Sequence, residues 1–179
     1  PLIYGGGIRS KTDAITVISS GADRVVVETS ILTRLLDPTD LVQEIGAQAI
    51  ILSLPLIKRG NEVFVYSYID SSETPLIHYS EFMDGSNISE ILVVDVVNEG
   101  SFTSHFDLTL IDNPLFKKSS LICKGGVNSS DICIQLLGNS RVSSVMLGNV
   151  LNLSELSYVK IKNEVNVAIP GVVRRYDEM

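Results

Sequence analysis

Short apolar runs recur along the chain, and polar segments long enough for a helix separate most of them. An apolar run bounded by Gly, Pro or polar residues is typical of a strand that is buried on both faces. We predict six such strands, at 2–4, 25–27, 49–54, 91–96, 121–123 and 145–147. Because strands that alternate with helices form parallel βαβ units, the pattern predicts an α/β fold.

Helix signals fill most of the intervals between these runs. Ser10 is a suitable N-cap for a helix over 12–20, with Asp13 as its capping-box partner. Asp37 and Pro38 start a second helix that ends at Gly46. Further helices are predicted at 75–84, 108–111 and 132–137, and after Ser154.

A hairpin is predicted after the third strand. Pro55 follows that strand, where a missing N–H is tolerable. Residues 58–62 are typical of a turn, and 63–68 alternate like a half-exposed antiparallel strand.

One sequence pattern occurs twice in the chain: an apolar strand, a glycine turn and a helix start. Gly5, Gly6 and Gly7 follow the first strand, and Gly125 and Gly126 follow the fifth, an offset of about 120 residues. Ser10 and Ser129 stand at the two helix starts. Such turns present backbone N–H groups to a phosphate, although each can also be a tight turn and nothing more. The repetition favours an internally duplicated α/β fold that binds phosphate.

Composition narrows the classes of partner. The formal net charge of −7 over 179 residues disfavours a nucleic-acid backbone. No apolar run is long enough for a membrane span and no signal peptide is visible, so we expect a cytoplasmic protein. Cys123 and Cys133 are predicted to be buried free thiols rather than a disulfide or metal pair, and no cofactor or metal site is predicted.

Several motifs together resemble one family, the cyclase subunit of imidazole glycerol phosphate synthase in histidine biosynthesis. They are 4–9 (YGGGIR), 21–25 (GADRV), 46–49 (GAQA), 89–92 (SEIL), 99–100 (EG), 124–126 (KGG) and 148–149 (GN). The resemblance implies a (β/α)8 TIM barrel with its site at the carboxyl ends of the strands. It runs from the family's third strand to its eighth. Residues 1–179 are therefore expected to form a single partial barrel of about six parallel strands, and the start at Pro1 suggests an N-terminal truncation.

The resemblance also implies where ligands and partners bind. One phosphate site would comprise Gly7 and Thr29, while a glutaminase would dock on the opposite face and send ammonia through the barrel. Arg24 and Glu90 would belong to the ammonia gate and Asp23 to the docking surface. The second phosphate site would comprise Gly100, Gly126, Gly148 and Asn149.

Departures from the family pattern concern the catalytic end. Pro55 stands where the family has its general acid, and the first strand with the partner aspartate is absent from this chain. Glu28 replaces an asparagine and places negative charge beside one phosphate site. Residues 53–56 (SLPL) resemble a divergent branch that supplies ammonia for acetamidino sugars of surface polysaccharides, with a glutaminase and a sugar amidotransferase.

The sequence therefore leaves three interpretations of function open. The first is a diverged ammonia-supplying lyase or synthase subunit that is inactive as a cyclase. The second is a genuine cyclase of histidine biosynthesis, and the third is a non-catalytic scaffold for a phosphorylated ligand or a partner. Candidate catalytic groups are His105, on the active-site side, and Asp95, which faces the barrel interior or is a hydrogen-bonded structural carboxylate. His78 is expected to be a surface or packing residue.

Overall fold

Six parallel strands follow one another in sequence order and form an unclosed half-barrel, as predicted. The computed structural model describes residues 1–84, 88, 90–152 and 156–174. The parallel strands are β1 (Ile3–Gly5), β2 (Arg24–Val27), β3 (Ile50–Arg59), β6 (Glu90–Asp95), β7 (Ser120–Lys124) and β8 (Val142–Val145). Two antiparallel strands, β4 (Glu62–Tyr66) and β5 (Glu73–Pro75), extend from β3.

Helices pack along the outside of this sheet. They are α1 (Lys11–Ser19), α2 (Thr29–Leu32), α3 (Pro38–Ile45), α4 (Ser80–Asp84), α5 (Ser130–Leu137) and α6 (Ser157–Ala168). Short 3-10 turns lie at Ala47–Ala49, Leu76–Tyr79, Leu108–Leu110, Pro114–Phe116 and Asn149–Asn152.

The helix starts use the caps that the sequence predicts. The Ser10 hydroxyl accepts from the Asp13 N–H at 3.2 Å, and the Asp13 carboxylate accepts from the Ser10 N–H at 2.9 Å. Hydrogen bonds from the Arg9 and Ser10 groups hold the pKa of Asp13 below its usual value. Asp37 caps α3 and Ser129 caps α5. Ser154, the predicted cap of the last helix, falls outside the described residues.

The strands separate two apolar clusters, because successive side chains point to opposite faces of a sheet. The larger cluster lies between the sheet and the helices and includes Val25, Leu52 and Val93. The smaller lines the concave inner face and contains Val26, Ile51, Leu92, Val94 and Ile122.

The prediction that the first strand is buried on both faces is wrong. Leu2, Ile3 and Tyr4 are 61, 40 and 47 % exposed. The reason is that β1 pairs with β2 alone and so forms one edge of the sheet. The last strand also differs from its predicted range of 145–147. It spans Val142–Val145, and its pairing with β7 shifts register at Ser143, between the partners of Leu121 and Ile122.

The third strand does not end before Pro55 as predicted. β3 continues through Pro55 to Arg59, and Gly60 with Asn61 turns the chain into β4. Pro55 lies after the last residue paired with β2, Leu52, and before the first residue paired with β4, Leu56. The Val96 N–H donates to the Leu56 carbonyl at 3.1 Å, so the backbone groups of Leu56 face β6. The nitrogen of the preceding residue, Pro55, therefore faces the opposite side, where none of the described strands pairs with it.

The predicted hairpin is present but larger than expected. Residues 73–75 add a third antiparallel strand, which includes the predicted first residue of the 75–84 helix. The predicted helix does not begin at Pro75, because that residue pairs with Phe64 in the sheet. A 3-10 turn and α4 occupy the rest of that range.

Candidate functional site

An ion pair and two hydroxyl groups meet at the amino end of the half-barrel. Arg24 begins β2 and Glu90 begins β6, and the Arg24 Nη1 atom pairs with the Glu90 Oε2 atom. Glu90 is only 7 % exposed, and its other oxygen accepts from the hydroxyls of Ser120 and Ser143. The Arg24 Nε atom also donates to the Gln48 carbonyl at 3.0 Å. A nearly buried carboxylate is thus held by donors from three other strands.

Asp23 lies next to this group on the exposed surface. Its carboxylate accepts from the Leu2 N–H at 2.7 Å, which ties the start of the chain to the turn before β2. The residue suggested for docking is therefore accessible and close to Arg24 in the chain.

The carboxyl ends of β6, β7 and β8 enclose a small pocket of about 50 Å³, here called the glycine pocket. Four residues of the second suggested phosphate site come together in it: Gly100, Gly126, Gly148 and Asn149. The Asn149 side-chain amide donates to the Gly100 carbonyl at 3.4 Å. Lys124 also lines this pocket, with its ammonium 3.0 Å from the Glu99 carboxylate. Lys124 stands directly before the glycine turn, a position whose local sequence pattern did not indicate a ligand-binding role.

Two glycines of this turn are required by close backbone approach. Gly125 has φ +92°, and a Cβ there would lie 2.4 Å from the Asp95 carbonyl oxygen. Gly126 has φ +66°, and a Cβ there would lie 2.6 Å from the Phe106 nitrogen. The turn therefore has a packing role in addition to any ligand that it holds.

A larger opening of about 770 Å³, here called the main cleft, lies at the carboxyl ends of the strands. Gly7 and Thr29, the other suggested phosphate residues, both line it. Glu28 and Ser53 also face it, and the Ser53 hydroxyl donates to the Glu28 carboxylate at 2.6 Å. Pro55 shares the inner face of β3 with Ser53 by strand alternation and carries no proton to transfer.

The two candidate catalytic groups have different surroundings. Asp95 is 2 % exposed and lies on the helix-facing side of β6, on the same face as Val93. Its carboxylate accepts from the Asn98 N–H at 3.2 Å, the Asn98 amide at 2.7 Å and the Asp107 N–H at 2.8 Å. These contacts favour the structural alternative for Asp95, which organises the loop after β6.

His105 is exposed beside the glycine pocket. Its Nδ1 atom is 2.6 Å from the Asn128 side-chain oxygen, and Asn128 lines the pocket. His78 is exposed on the 3-10 turn before α4, far along the chain from these groups.

The two cysteines are free and buried, as predicted. Burial raises the pKa of the Cys123 thiol to about 12 and that of Cys133 to about 11. Within the described ranges, no three His, Cys, Asp or Glu side chains are grouped so that they could hold a metal ion. In the same part of the chain, no helix has both the length and the apolar character that crossing a bilayer requires.

A family model described as "Histidine biosynthesis protein" matches residues 1–157. The chain belongs to this family. The match includes the strands from β1 to β8, the Arg24–Glu90 ion pair and the glycine pocket. It thus confirms the resemblance at the level of the histidine biosynthesis family.

Curated relatives are about a quarter identical to the chain over the aligned residues. Imidazole glycerol phosphate synthase subunit HisF from Dehalococcoides mccartyi (strain ATCC BAA-2100) is 25% identical over 174 residues, covering 90% of this chain and 65% of the relative. The HisF subunit from Sulfolobus acidocaldarius is 28% identical over 182 residues, covering 93% and 69%. That from Corynebacterium glutamicum (strain R) is 25% identical over 178 residues, covering 94% and 68%. The chain thus spans about two thirds of the length of these relatives.

Proposed function

We propose that the chain acts as a subunit of the imidazole glycerol phosphate synthase type. It binds a phosphorylated small molecule at the carboxyl ends of the strands and receives ammonia from a glutaminase at their amino ends. The observation that carries the proposal is the meeting of residues from three separate loops, Gly100, Gly126 and Gly148, with Lys124 in one pocket. In TIM barrels the loops after the last two strands, with a short helix, form the common phosphate site.

The glycine pocket is the stronger of the two phosphate sites. Lys124 supplies a positive charge there, and Glu99, which lines the same pocket, is paired with it at 3.0 Å. The loop after β8 leads into the 3-10 turn that starts at Asn149. At the other site, the Glu28 carboxylate lies beside Thr29 in the same cleft and opposes an anion. The expected order of phosphate affinity is therefore the glycine pocket first and the Gly7–Thr29 turn second.

The amino end supports a glutaminase partner. The side chains of Arg24 and Glu90 pair at the amino end of the inner face, which supports the suggested gate, and Asp23 is exposed next to them. A gate needs charges that meet in the barrel mouth, and these two side chains meet.

Pro55 distinguishes ammonia supply from cyclisation. Its side chain neither donates nor accepts a proton on the inner face of β3, so this chain lacks one acid that the cyclase reaction uses in the family. This favours a paralogue that supplies ammonia. The acetamidino-sugar role, with a sugar amidotransferase as a further partner, is supported by the resemblance of 53–56 alone.

Phosphate titration followed by amide NMR tests the ligand site. We expect shifts at Gly126, Gly148 and Asn149 at lower phosphate concentration than at Gly7 and Thr29. Lys124→Met keeps the length of the side chain, removes its charge and should weaken the first set of shifts severalfold. Shifts confined to Gly7 and Thr29 would show that the order of the two sites is the reverse.

Stimulation of a partner glutaminase tests the proposed gate at the amino ends of the strands. Arg24→Ala and Glu90→Ala should each alter glutaminase stimulation, while phosphate binding at Gly126 stays within about twofold of wild type. Glutaminase stimulation that is unchanged in both variants would remove the gate from the proposal.

A further inference from the structure

One corner of the main cleft differs in chemistry from the glycine pocket. Glu28 follows β2, Ser53 lies on the inner face of β3, and Tyr68 follows β4 on the hairpin. All three line the same opening of about 770 Å³. The Tyr68 side chain is 56 % exposed, and its ring meets that of Tyr66 edge to face with centroids 5.2 Å apart.

Among the described residues, the Glu28 carboxylate makes a single polar contact, with the Ser53 hydroxyl. It stands at the N-cap of α2, yet its side chain makes no capping hydrogen bond to that helix. Its partner is the hydroxyl of Ser53, a residue only 2 % exposed, at 2.6 Å. No ion pair among the described residues involves Glu28.

A single hydroxyl donor leaves most of a carboxylate's acceptor capacity unused. Two carboxylates act on this corner, Glu28 and Glu99, and Lys124, which also lines the main cleft, is paired with Glu99 at 3.0 Å. Partial burial, and then the carboxylates of Glu28 and Glu99, raise the pKa of Tyr68 above its usual value. An aromatic face next to a carboxylate is a favourable place for a cation, which gains both a charge-assisted hydrogen bond and a cation–π contact.

We propose that the Glu28–Ser53–Tyr68 corner binds an ammonium or amidinium group of the ligand. This inference rests on the proposed function, since it makes the ligand of the phosphate site a two-ended molecule. Its phosphate occupies the glycine pocket beside Lys124, and its nitrogen cation lies against Glu28 and the ring of Tyr68. The serine orients the carboxylate by holding one of its oxygens.

The test compares ω-aminoalkyl phosphates of four to ten carbons with the alkyl phosphates of the same length, pairs that differ only in the terminal ammonium group. Affinities for the full chain are measured by calorimetry, with NMR shifts of Glu28 and Gly126 to locate each end. At the chain length that spans both ends, wild type should bind the amino compound about tenfold more tightly, the ratio expected for about 1.4 kcal/mol. Glu28→Gln, which keeps the shape of the side chain, should abolish this preference and leave binding of the alkyl phosphate no weaker.

Three further variants separate the ends of the site. Tyr68→Leu should reduce the preference by a few fold, whereas Tyr68→Phe should retain it, because the ring face is kept. Lys124→Met should weaken both ligands to a similar degree. Tyr68 is exposed, so these ring variants keep the fold and give a readout even if Glu28→Gln unfolds.

Each outcome decides one of the two proposals. Equal affinity of wild type for the two members of the pair at every chain length overturns the cation site and leaves phosphate binding intact. If no alkyl phosphate binds, the phosphate proposal fails, and butylammonium alone then tests the corner. Binding of butylammonium that is lost in Glu28→Gln supports the cation site, and the lack of any binding overturns it.

Discussion

Arg24 and Glu90 are 66 positions apart in the sequence, and they form an ion pair where β2 and β6 begin. The side chains are unequally exposed, 23% for Arg24 and 9% for Glu90. Removing the arginine therefore leaves a nearly buried carboxylate with hydroxyl donors alone.

A double-mutant cycle on this pair should give a clear coupling energy. Arg24→Ala should lower the free energy of unfolding by about 1–3 kcal/mol, because a buried acceptor loses a charged donor. The matched control is the pair Arg34–Glu81, whose side chains are 62% and 57% exposed. Its coupling should be about 0–1 kcal/mol, as is usual for surface ion pairs. Urea denaturation of wild type, the two single variants and the double variant of each pair gives both coupling energies. Equal coupling energies would contradict the prediction.

Alanine substitutions at two glycines should separate backbone strain from steric clash. Gly7 has φ +70° and nothing within 4 Å of the point that a Cβ would occupy, so Gly7→Ala should cost about 1 kcal/mol from the left-handed conformation alone. Gly126 has nearly the same φ, but a Cβ there would meet the Phe106 nitrogen at 2.6 Å. Gly126→Ala should therefore cost at least about 1 kcal/mol more, from overpacking. The difference in the free energy of unfolding measures the clash, and a smaller loss for Gly126→Ala would refute it.

The buried thiols should make the protein less stable in alkaline solution. Both pKa values are raised, to about 12 for Cys123 and about 11 for Cys133, from an ordinary value of 9.0. Below pH 9 the thiols are neutral in both states and contribute nothing. Above it the unfolded chain loses their protons first, so the free energy of unfolding falls as the pH rises.

Cys133→Ala isolates this effect from other groups that titrate in the same range. Between pH 8 and pH 10, wild type under reducing conditions should lose roughly 1 kcal/mol more stability than the variant. Denaturant midpoints at the two pH values provide the comparison. An equal loss in both proteins would show that the thiol does not contribute.

The chain of 179 residues should form no imidazole glycerol phosphate, even with saturating ammonium. General acid–base groups typically contribute about 10² to 10⁴ in rate each, and Pro55 offers no such group. The assay follows product formation directly. Clear turnover would support the alternative of a genuine cyclase.

Local patterns are enough to predict much of the fold. The apolar runs that form β2 and β6, and the Ser10–Asp13 cap of α1, depend on residues close together in the chain. Local patterns do not predict the boundaries of β8, because its two central residues, Ser143 and Ser144, are polar. Ser143 instead donates to Glu90, a partner 53 positions away that no local window includes.

Long-range placement explains the remaining errors. Burial of Ile3 depends on how many strands flank β1, which its own sequence does not reveal. A proline normally ends a strand, yet at Pro55 the ladder has a gap on the nitrogen side. The Glu28–Ser53–Tyr68 corner joins three separate segments, so only the folded chain shows that these residues share a cleft.

The unbroken path of β3 has a mechanical consequence. One strand of ten residues pairs with β6 in the barrel wall and with β4 in the hairpin, and no loop intervenes. The hairpin that carries Tyr68 is therefore a continuous extension of the wall, with no loop between them that could act as a hinge. Any force on it is transmitted along the backbone toward the inner-face residues Ser53 and Ile51, so strain at the rim and strain in the wall are mechanically linked.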